Sequence, residues 1–243
     1  TVPHDWAIYG PFSFENDKQH LAIAQDGQKE AMEHAGRTGG LPFVGVGWYR
    51  RSLDIPQDLG DRRVFLRFDG AMSHARVYVN GKEVGYWPYG YNTFAFDVTP
   101  YVRPGASNTL AVRLENKQES SRWYPGAGLY RNVHLTITPP TYIPLWGTRI
   151  QTPSVSADQA YVSVETKVAG LSHLAGRPLH IETKILSPEG KVVAERSESF
   201  SSKGEDSIYR TGFDISAPKL WDINQPNLYK YAVTLSDGSR VID

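Results

Sequence analysis

Side chains suited to chemistry are concentrated in one stretch of this sequence, which reads Ser-Ser-Arg-Trp-Tyr-Pro-Gly-Ala-Gly-Leu-Tyr-Arg-Asn-Val from residue 120 to residue 133. It combines Arg122, Trp123 and Tyr124 with a Gly-x-Gly, on a loop between two predicted strands. Sugars are bound by this combination, because their C–H faces lie on aromatic rings while guanidinium and carboxylate groups bridge neighbouring hydroxyls. The stretch therefore indicates sugar binding, and the alternative is that Trp123 and Tyr130 only fill the end of a β-sandwich.

Other chemistries leave no signature in the sequence. It contains no Walker loop, nucleotide-binding glycine fingerprint, His-Glu-x-x-His, Gly-x-Ser-x-Gly or EF-hand loop. The seven His residues are scattered without ligand spacing, and the absence of Cys excludes thiolate metal sites and cysteine nucleophiles. We therefore predict neither a metal site nor a cofactor. A carboxylate pair or a Ser-His-Asp triad stays open, because such sets are defined by separation in space.

Charge and composition narrow the class of partner. The 243 residues carry 26 Lys and Arg against 26 Asp and Glu, so there is no electrostatic footprint for nucleic acid or an anionic membrane. No apolar run approaches the roughly 18 residues needed to span a bilayer. With 12% aromatic residues, 22 Gly and 16 Pro, the composition is typical of turn-rich β structure that buries Trp and Tyr.

The elements that must position the loop are strands. Asn80-Gly81 stands between two alternating runs and predicts a hairpin, because both turn positions need a positive φ. Alternation of apolar and polar residues predicts strands over 48–55, 64–68, 75–79, 82–86, 93–98, 109–114 and 132–138. The one helix candidate is 28–35, inside a stretch from 15 to 40 that otherwise lacks periodicity.

A proline-rich segment from 139 to 144 interrupts this pattern and predicts a domain boundary. Beyond it we predict further strands over 161–168, 179–186, 191–195, 209–215 and 229–235, with turns at 187–190 and 236–238. Five to seven short strands in about 100 residues is the rhythm of an immunoglobulin-like sandwich. The sequence predicts an all-β protein with domains over residues 1–140 and 141–243.

Several motifs follow one another along nearly the whole chain: Pro3-His4-Asp5-Trp6, Gly47-Trp48-Tyr49-Arg50-Arg51, Val79-Asn80-Gly81-Lys82, Gly90-Tyr91, Phe96-Asp97-Val98-Thr99, residues 121–133, Pro218-Lys219-Leu220-Trp221 and Pro226-Asn227-Leu228-Tyr229. Together they resemble the N-terminal part of family 2 glycoside hydrolases, and most closely their β-galactosidase-like branch. The stretch around Arg122-Trp123-Tyr124 is the most specific of them, whereas an isolated Val-Asn-Gly would be weak.

The resemblance implies a layout and a role. It implies a jelly-roll sandwich of the galactose-binding type, then an immunoglobulin-like sandwich that we expect to lack its last strand, then a TIM barrel with the two catalytic glutamates of a retaining mechanism. Since such a barrel needs about 250 residues of its own, no residue here is carried over as catalytic. We expect the fragment alone to be inactive and its partners to be a β-galactoside-type glycan and its own C-terminal barrel.

The resemblance also implies which residues line the sugar pocket. Arg122 and Trp123 are the first candidates, with Tyr124 and Asp5-Trp6 behind them. Ser121 stands where a related branch has an acidic residue for a sodium ion and the 6-hydroxyl of the sugar, so this chain departs from that pattern.

Structural roles stay open for the same residues. Asp5 could instead cap a turn, and Trp6 could be a core anchor. We expect Trp48, Tyr49, Trp87 and Tyr91 to be packing residues.

Two functions of other classes compete with a glycosidase fragment. One is a free-standing carbohydrate-binding module, since jelly rolls with exposed Trp and Tyr bind sugars without catalysis. The other is a pair of sandwiches that serves adhesion or scaffolding and binds no sugar. By analogy with exported family members of Gram-negative bacteria, we expect a periplasmic or secreted location. The reading frame downstream of residue 243 distinguishes a glycosidase fragment from a free-standing carbohydrate-binding module.

Overall fold

The computed structural model describes residues 1–13, 21–23, 27, 29–30, 32–34, 43–117 and 126–243. Within these residues the regular secondary structure consists almost entirely of strands, which confirms the predicted all-β class. It forms two compact units, residues Thr1–Ile137 and Thr138–Asp243. Among the described residues no helix is long and apolar enough to cross a membrane.

The first unit is a sandwich of a four-stranded and a three-stranded sheet. The first nine strands are β1 (Leu21–Ile23), β2 (Met32–His34), β3 (Gly45–Asp54), β4 (Arg63–Phe68), β5 (Ala75–Val79), β6 (Lys82–Trp87), β7 (Phe94–Asp97), β8 (Ser107–Asn116) and β9 (Val133–Thr138). The larger sheet has the order β3-β8-β5-β6 and the smaller one β7-β4-β9, while β1 and β2 pair with each other. This is the arrangement expected of the jelly-roll domain.

Alternation along the strands creates the core of this unit. In β5 the residues Ala75, Val77 and Val79 are buried while Arg76 and Tyr78 point to the other face. One cluster joins these residues with Val64, Leu66 and Phe68 from the smaller sheet and Leu110, Val112 and Leu114 from β8. The predicted hairpin is present: Asn80 and Gly81 have φ of 51° and 81°, as a type I′ turn requires.

The second unit is also a two-sheet sandwich. Its strands are β10 (Thr148–Val155), β11 (Gln159–Val168), β12 (Pro178–Leu186), β13 (Val192–Ser201), β14 (Ser207–Ser216), β15 (Lys230–Asp237) and β16 (Arg240–Val241). The sheets have the orders β10-β11-β14 and β13-β12-β15-β16. Buried Val164 and Phe213 of the first sheet pack with Ile185 of the second, which gives the sandwich expected of an immunoglobulin-like domain.

Three expectations need correction. The helix predicted over 28–35 is wrong where the structure describes it, because Met32–His34 is a strand paired with Leu21–Ile23. Strand β10 was not predicted, and its Pro153 lies where the ladder with β11 shifts register, between Gln151 and Ser154.

The third correction concerns aromatic packing. Tyr49 and Trp87 pack against the core as expected, but Trp48 and Tyr91 are 59% and 40% exposed. Trp48 is exposed because it lies on the outer face of β3, one residue from the inward-facing Tyr49.

Candidate functional site

The candidate site is built around the N-terminal segment His4–Trp6, which contains two of the five expected pocket residues. The main chain N–H of His4 donates to the carbonyl of Leu129 at 2.8 Å, so this segment lies against the end of the loop that carries the sugar-binding signature. The other three, Arg122, Trp123 and Tyr124, fall in 118–125, outside the described residues.

The hydroxyl of Tyr49 joins the parts of the site. It donates to the carbonyl of His4 at 3.1 Å, and it accepts from the N–H of Leu129 at 3.3 Å. Nδ1 of His4 lies 2.8 Å from the same oxygen, and it donates in the tautomer that carries its proton on Nδ1. Strand β3 thus holds two chain segments that are 45 and 80 residues away in sequence.

The proton of that hydroxyl stays in place at neutral pH. Burial raises the pKa of Tyr49 above its ordinary value, and the negative charge of Asp5 raises it further, against the opposing effect of the Leu129 N–H. Tyr49 therefore acts here as a neutral donor and acceptor rather than as a base.

Asp5 has one oxygen in a turn and the other beside the glycine-rich loop. Its Oδ1 accepts from the N–H of Ala7 at 2.9 Å, which closes a turn where the short 3₁₀ helix Ala7–Tyr9 begins. Its Oδ2 would lie 3.4 Å from a Cβ built on Gly126, the residue at which the described chain resumes after 118–125. The turn-capping alternative for Asp5 is therefore real, and it leaves the carboxylate next to the predicted sugar loop.

Trp6 is half-buried and packs against the core of the first unit. Its ring lies over Gly47 of β3, where an added Cβ would come within 2.7 Å of it. Its indole Nε1 is buried and has no hydrogen-bond partner in the part of the chain that the structure describes. Trp6 thus has the position of a core anchor, which was the structural alternative for it, and its role in a sugar pocket stays a prediction.

The loop end that faces this segment has a fixed backbone. Gly128 exchanges two main-chain hydrogen bonds of 2.9 Å with Met72. With φ of +99°, it sits where a Cβ would lie 2.4 Å from both the His4 carbonyl oxygen and the Tyr49 hydroxyl. Only glycine allows the N-terminal segment and β3 to approach the loop so closely.

Tyr130 closes the other side of the loop end. Its hydroxyl donates to the carbonyl of Gly90 at 2.8 Å, and its ring lies against Gly70. Burial raises the pKa of Tyr130. Tyr130 therefore fills space at the end of the sandwich, which is the structural role that the sequence left open as the alternative to sugar binding.

The carboxylate of Asp5 and the hydroxyl of Tyr49 both lie at this loop end, where they can orient polar groups of the predicted sugar loop. Sequence reasoning missed the part of Tyr49, which it placed among packing residues, and that of His4. Nothing in the local sequence distinguished Tyr49 or His4; only the contacts between distant segments identify them. Among the described residues no three His, Asp or Glu side chains come together as metal ligands.

Comparison with known proteins gives this geometry a context. A model described as "Glycosyl hydrolases family 2, sugar binding domain" matches residues 39–139. A second model, described as "Glycosyl hydrolases family 2", matches residues 143–243. The two matches follow one another along the chain.

Individual relatives agree with the family models. Beta-galactosidase BoGH2A of Bacteroides ovatus is 34% identical over 100% of this chain and 27% of its own length. A beta-glucuronidase of Bacteroides fragilis is 33% identical over 82% of this chain and 30% of its own length.

A solved structure agrees as well. A glycosyl hydrolase family 2 member from Bacteroides cellulosilyticus superposes with a TM-score of 0.86 at 31% identity, over 100% of this chain and 30% of that one. The chain thus spans between a quarter and a third of the length of these proteins.

Proposed function

The chain belongs to glycoside hydrolase family 2, and from that premise we propose that it is the N-terminal, non-catalytic part of a longer retaining β-glycosidase. The observation that carries the proposal is the pair of consecutive family matches, the first of them to a sugar-binding domain. Relatives that match 100% and 82% of this chain are named beta-galactosidase and beta-glucuronidase. The partner is therefore a carbohydrate, and we propose a β-galactoside-type glycan.

The proposed role of this part is to complete the sugar pocket. Arg122, Trp123 and Tyr124 would supply aromatic faces and a guanidinium, and Asp5 and Trp6 would lie behind them. In support, the described end of the loop is bonded to the segment that carries Asp5, and the carboxylate of Asp5 lies beside Gly126. A carboxylate there can accept from paired sugar hydroxyls or hold Arg122 in position.

The catalytic carboxylates are proposed to lie outside these 243 residues, in a C-terminal barrel that is the second partner of this chain. Retaining glycosidases need two carboxyl groups about 5–5.5 Å apart on either side of the scissile bond. This assignment leaves the described residues with positioning and scaffolding roles.

The test compares the chain with the product of the full reading frame from which it comes. Both are purified and assayed with 4-nitrophenyl β-D-galactoside and 4-nitrophenyl β-D-glucuronide. We expect hydrolysis of the galactoside by the longer protein and none by the 243-residue chain. Hydrolysis by the pure chain would contradict the proposal, as would a reading frame that stops at Asp243. Preference for the glucuronide would correct the sugar only.

We also propose that the parent protein is exported to the periplasm or the medium. The support is analogy with glycan-degrading members of the family. Cell fractionation with an antibody against this chain tests it, and recovery with a cytosolic marker enzyme would contradict it.

A further inference from the structure

The outer face of the four-stranded sheet β3-β8-β5-β6 carries a second set of aromatic and charged side chains. Alternation directs Tyr49, Val77 and Val112 into the core, so that their neighbours in sequence lie on the opposite face. On that outer face lie Trp48, Tyr78 and Arg113, which are adjacent in sequence to these three core residues.

Trp48 and Tyr78 form an aromatic platform on this face. Trp48 is 59% exposed, and its ring centroid lies 5.7 Å from that of Tyr78 at an interplanar angle of 35°. They belong to β3 and β5, with β8 between them. The rings meet because the residue of β8 opposite Tyr78 is Ala111, whose small side chain leaves the space above the sheet open.

A row of side chains crosses the sheet beside this platform. Trp48 is opposite Arg113, Arg113 is opposite Arg76, and Arg76 is opposite Tyr86. Three strand intervals make the row about 14 Å long. Tyr86 is 41% exposed, and the guanidinium of Arg76 lies over its ring, 4.8 Å from the centroid.

The two arginines at the centre of the row are directly opposed, which destabilises a sheet unless the charges are compensated. Each is compensated by its own carboxylate: Arg76 by Glu83 at 2.8 Å and Arg113 by Glu115 at 3.1 Å. The two ion pairs therefore hold the guanidinium and carboxylate groups in position on an accessible surface.

From these contacts we propose that the platform of Trp48 and Tyr78, with the adjoining row of Arg113, Arg76 and Tyr86, binds a glycan chain. A sugar ring would lie on the exposed indole, and the guanidinium and carboxylate groups alongside would bridge its hydroxyls. A protein partner fits less well, because the cores of protein interfaces are depleted in glutamate and this face has Glu83 and Glu115 among its aromatic rings. The inference stands on this face alone and does not depend on glycosidase activity.

The experiment is native affinity electrophoresis of the 243-residue chain in gels that contain galactan, arabinogalactan, xyloglucan or polygalacturonate. We expect at least one of these polysaccharides to retard the wild-type chain. Trp48→Ala should weaken its apparent affinity roughly tenfold or more, whereas Trp48→Phe should retain part of it. The matched control is Trp146→Ala in the second unit, where the side chain is 68% exposed, and it should migrate as the wild type does.

Folding is checked by thermal unfolding, in which Trp48→Ala should have the same midpoint as the wild type. The proposal is overturned if no polysaccharide retards the wild-type chain, or if Trp48→Ala is retarded as strongly as the wild type. It is also overturned if the variant abolishes self-association in sedimentation while no glycan binds, because the face would then dock protein. None of these results bears on hydrolysis by the longer protein.

Discussion

Single residues hold the candidate site together through short-range contacts. The Tyr49 hydroxyl takes part in three hydrogen bonds with His4 and Leu129, each of which is worth about 0.5–1.5 kcal/mol net. Because one atom serves both partners, small steric changes near it should displace the N-terminal segment as a whole.

Gly128→Ala should destabilise the first unit. The added Cβ would meet two oxygen atoms at 2.4 Å in a backbone conformation that alanine disfavours, which should cost about 2–4 kcal/mol in the free energy of unfolding. The control is Gly190→Ala, where φ is +82° but nothing lies within 4 Å of the new Cβ. It should cost only about 1–2 kcal/mol. Equal losses in urea unfolding would show that backbone strain alone acts at Gly128.

Asp5→Asn separates the capping role of Asp5 from its proposed role in the pocket. An amide oxygen can still accept from the N–H of Ala7, so we expect little change in stability. The loss of the negative charge should lower kcat/KM of the longer protein about 10–100-fold, through weaker charge-assisted hydrogen bonds. Asp61→Asn, an exposed carboxylate of the same unit, is the control. Unchanged kcat/KM in the Asp5 variant would leave Asp5 with the capping role only.

At the scale of elements, the ends of strands are tied together by polar side chains. Asp97, the last residue of β7, accepts from the N–H of Thr99 at 2.9 Å and from its hydroxyl at 2.6 Å. Its other oxygen is paired with Arg63 at the start of β4. Burial alone would raise the pKa of Asp97, but the hydrogen bonds from Thr99 and Arg63 outweigh it and lower the pKa below the ordinary value.

The lowered pKa of Asp97 makes the first unit sensitive to acid. A group whose pKa is lower in the folded state contributes stability above its unfolded pKa, and that contribution is lost as the pH falls through the folded pKa. Asp97→Asn should therefore cost about 1 kcal/mol at neutral pH, and the gap to the wild type should close below about pH 4. Urea unfolding across this pH range measures the gap. A gap that does not vary with pH would mean that neutral hydrogen bonds, and not the charge, hold the two strands.

At the scale of the whole molecule, the charge is balanced. With 26 basic and 26 acidic residues and an isoelectric point near 7.0, the chain has no net repulsion between copies at neutral pH. A balanced charge also suits the neutral glycan proposed as its partner.

Self-association should accordingly be strongest near neutral pH. The light-scattering intensity of the purified chain should be greatest near pH 7 and should be lower at pH values roughly two units to either side. Replacing the exposed Lys82 and Lys203 by Glu removes a positive charge and adds a negative one at each position. The maximum should then move to lower pH. If it stays in place, a local surface and not the net charge governs association.

The sequence by itself determined the class of fold, most of the strands and the family. Alternation with period two, the Asn-Gly turn and the prolines act within a few residues, so they can be recognised without knowing what lies across the sheet. The motif from 121 to 133 pointed to sugar for the same reason, since its side chains are neighbours in the chain.

Only the tertiary structure decided which face of each strand is covered and which distant segments meet. Met32–His34 is a strand because Leu21–Ile23 lies beside it, and a partner of that kind is not written in local periodicity. Trp48 and Tyr49 are adjacent and both aromatic, yet one is exposed and the other joins His4 to Leu129. Alternation separates the two side chains, but the position of the opposing sheet determines which of them is buried.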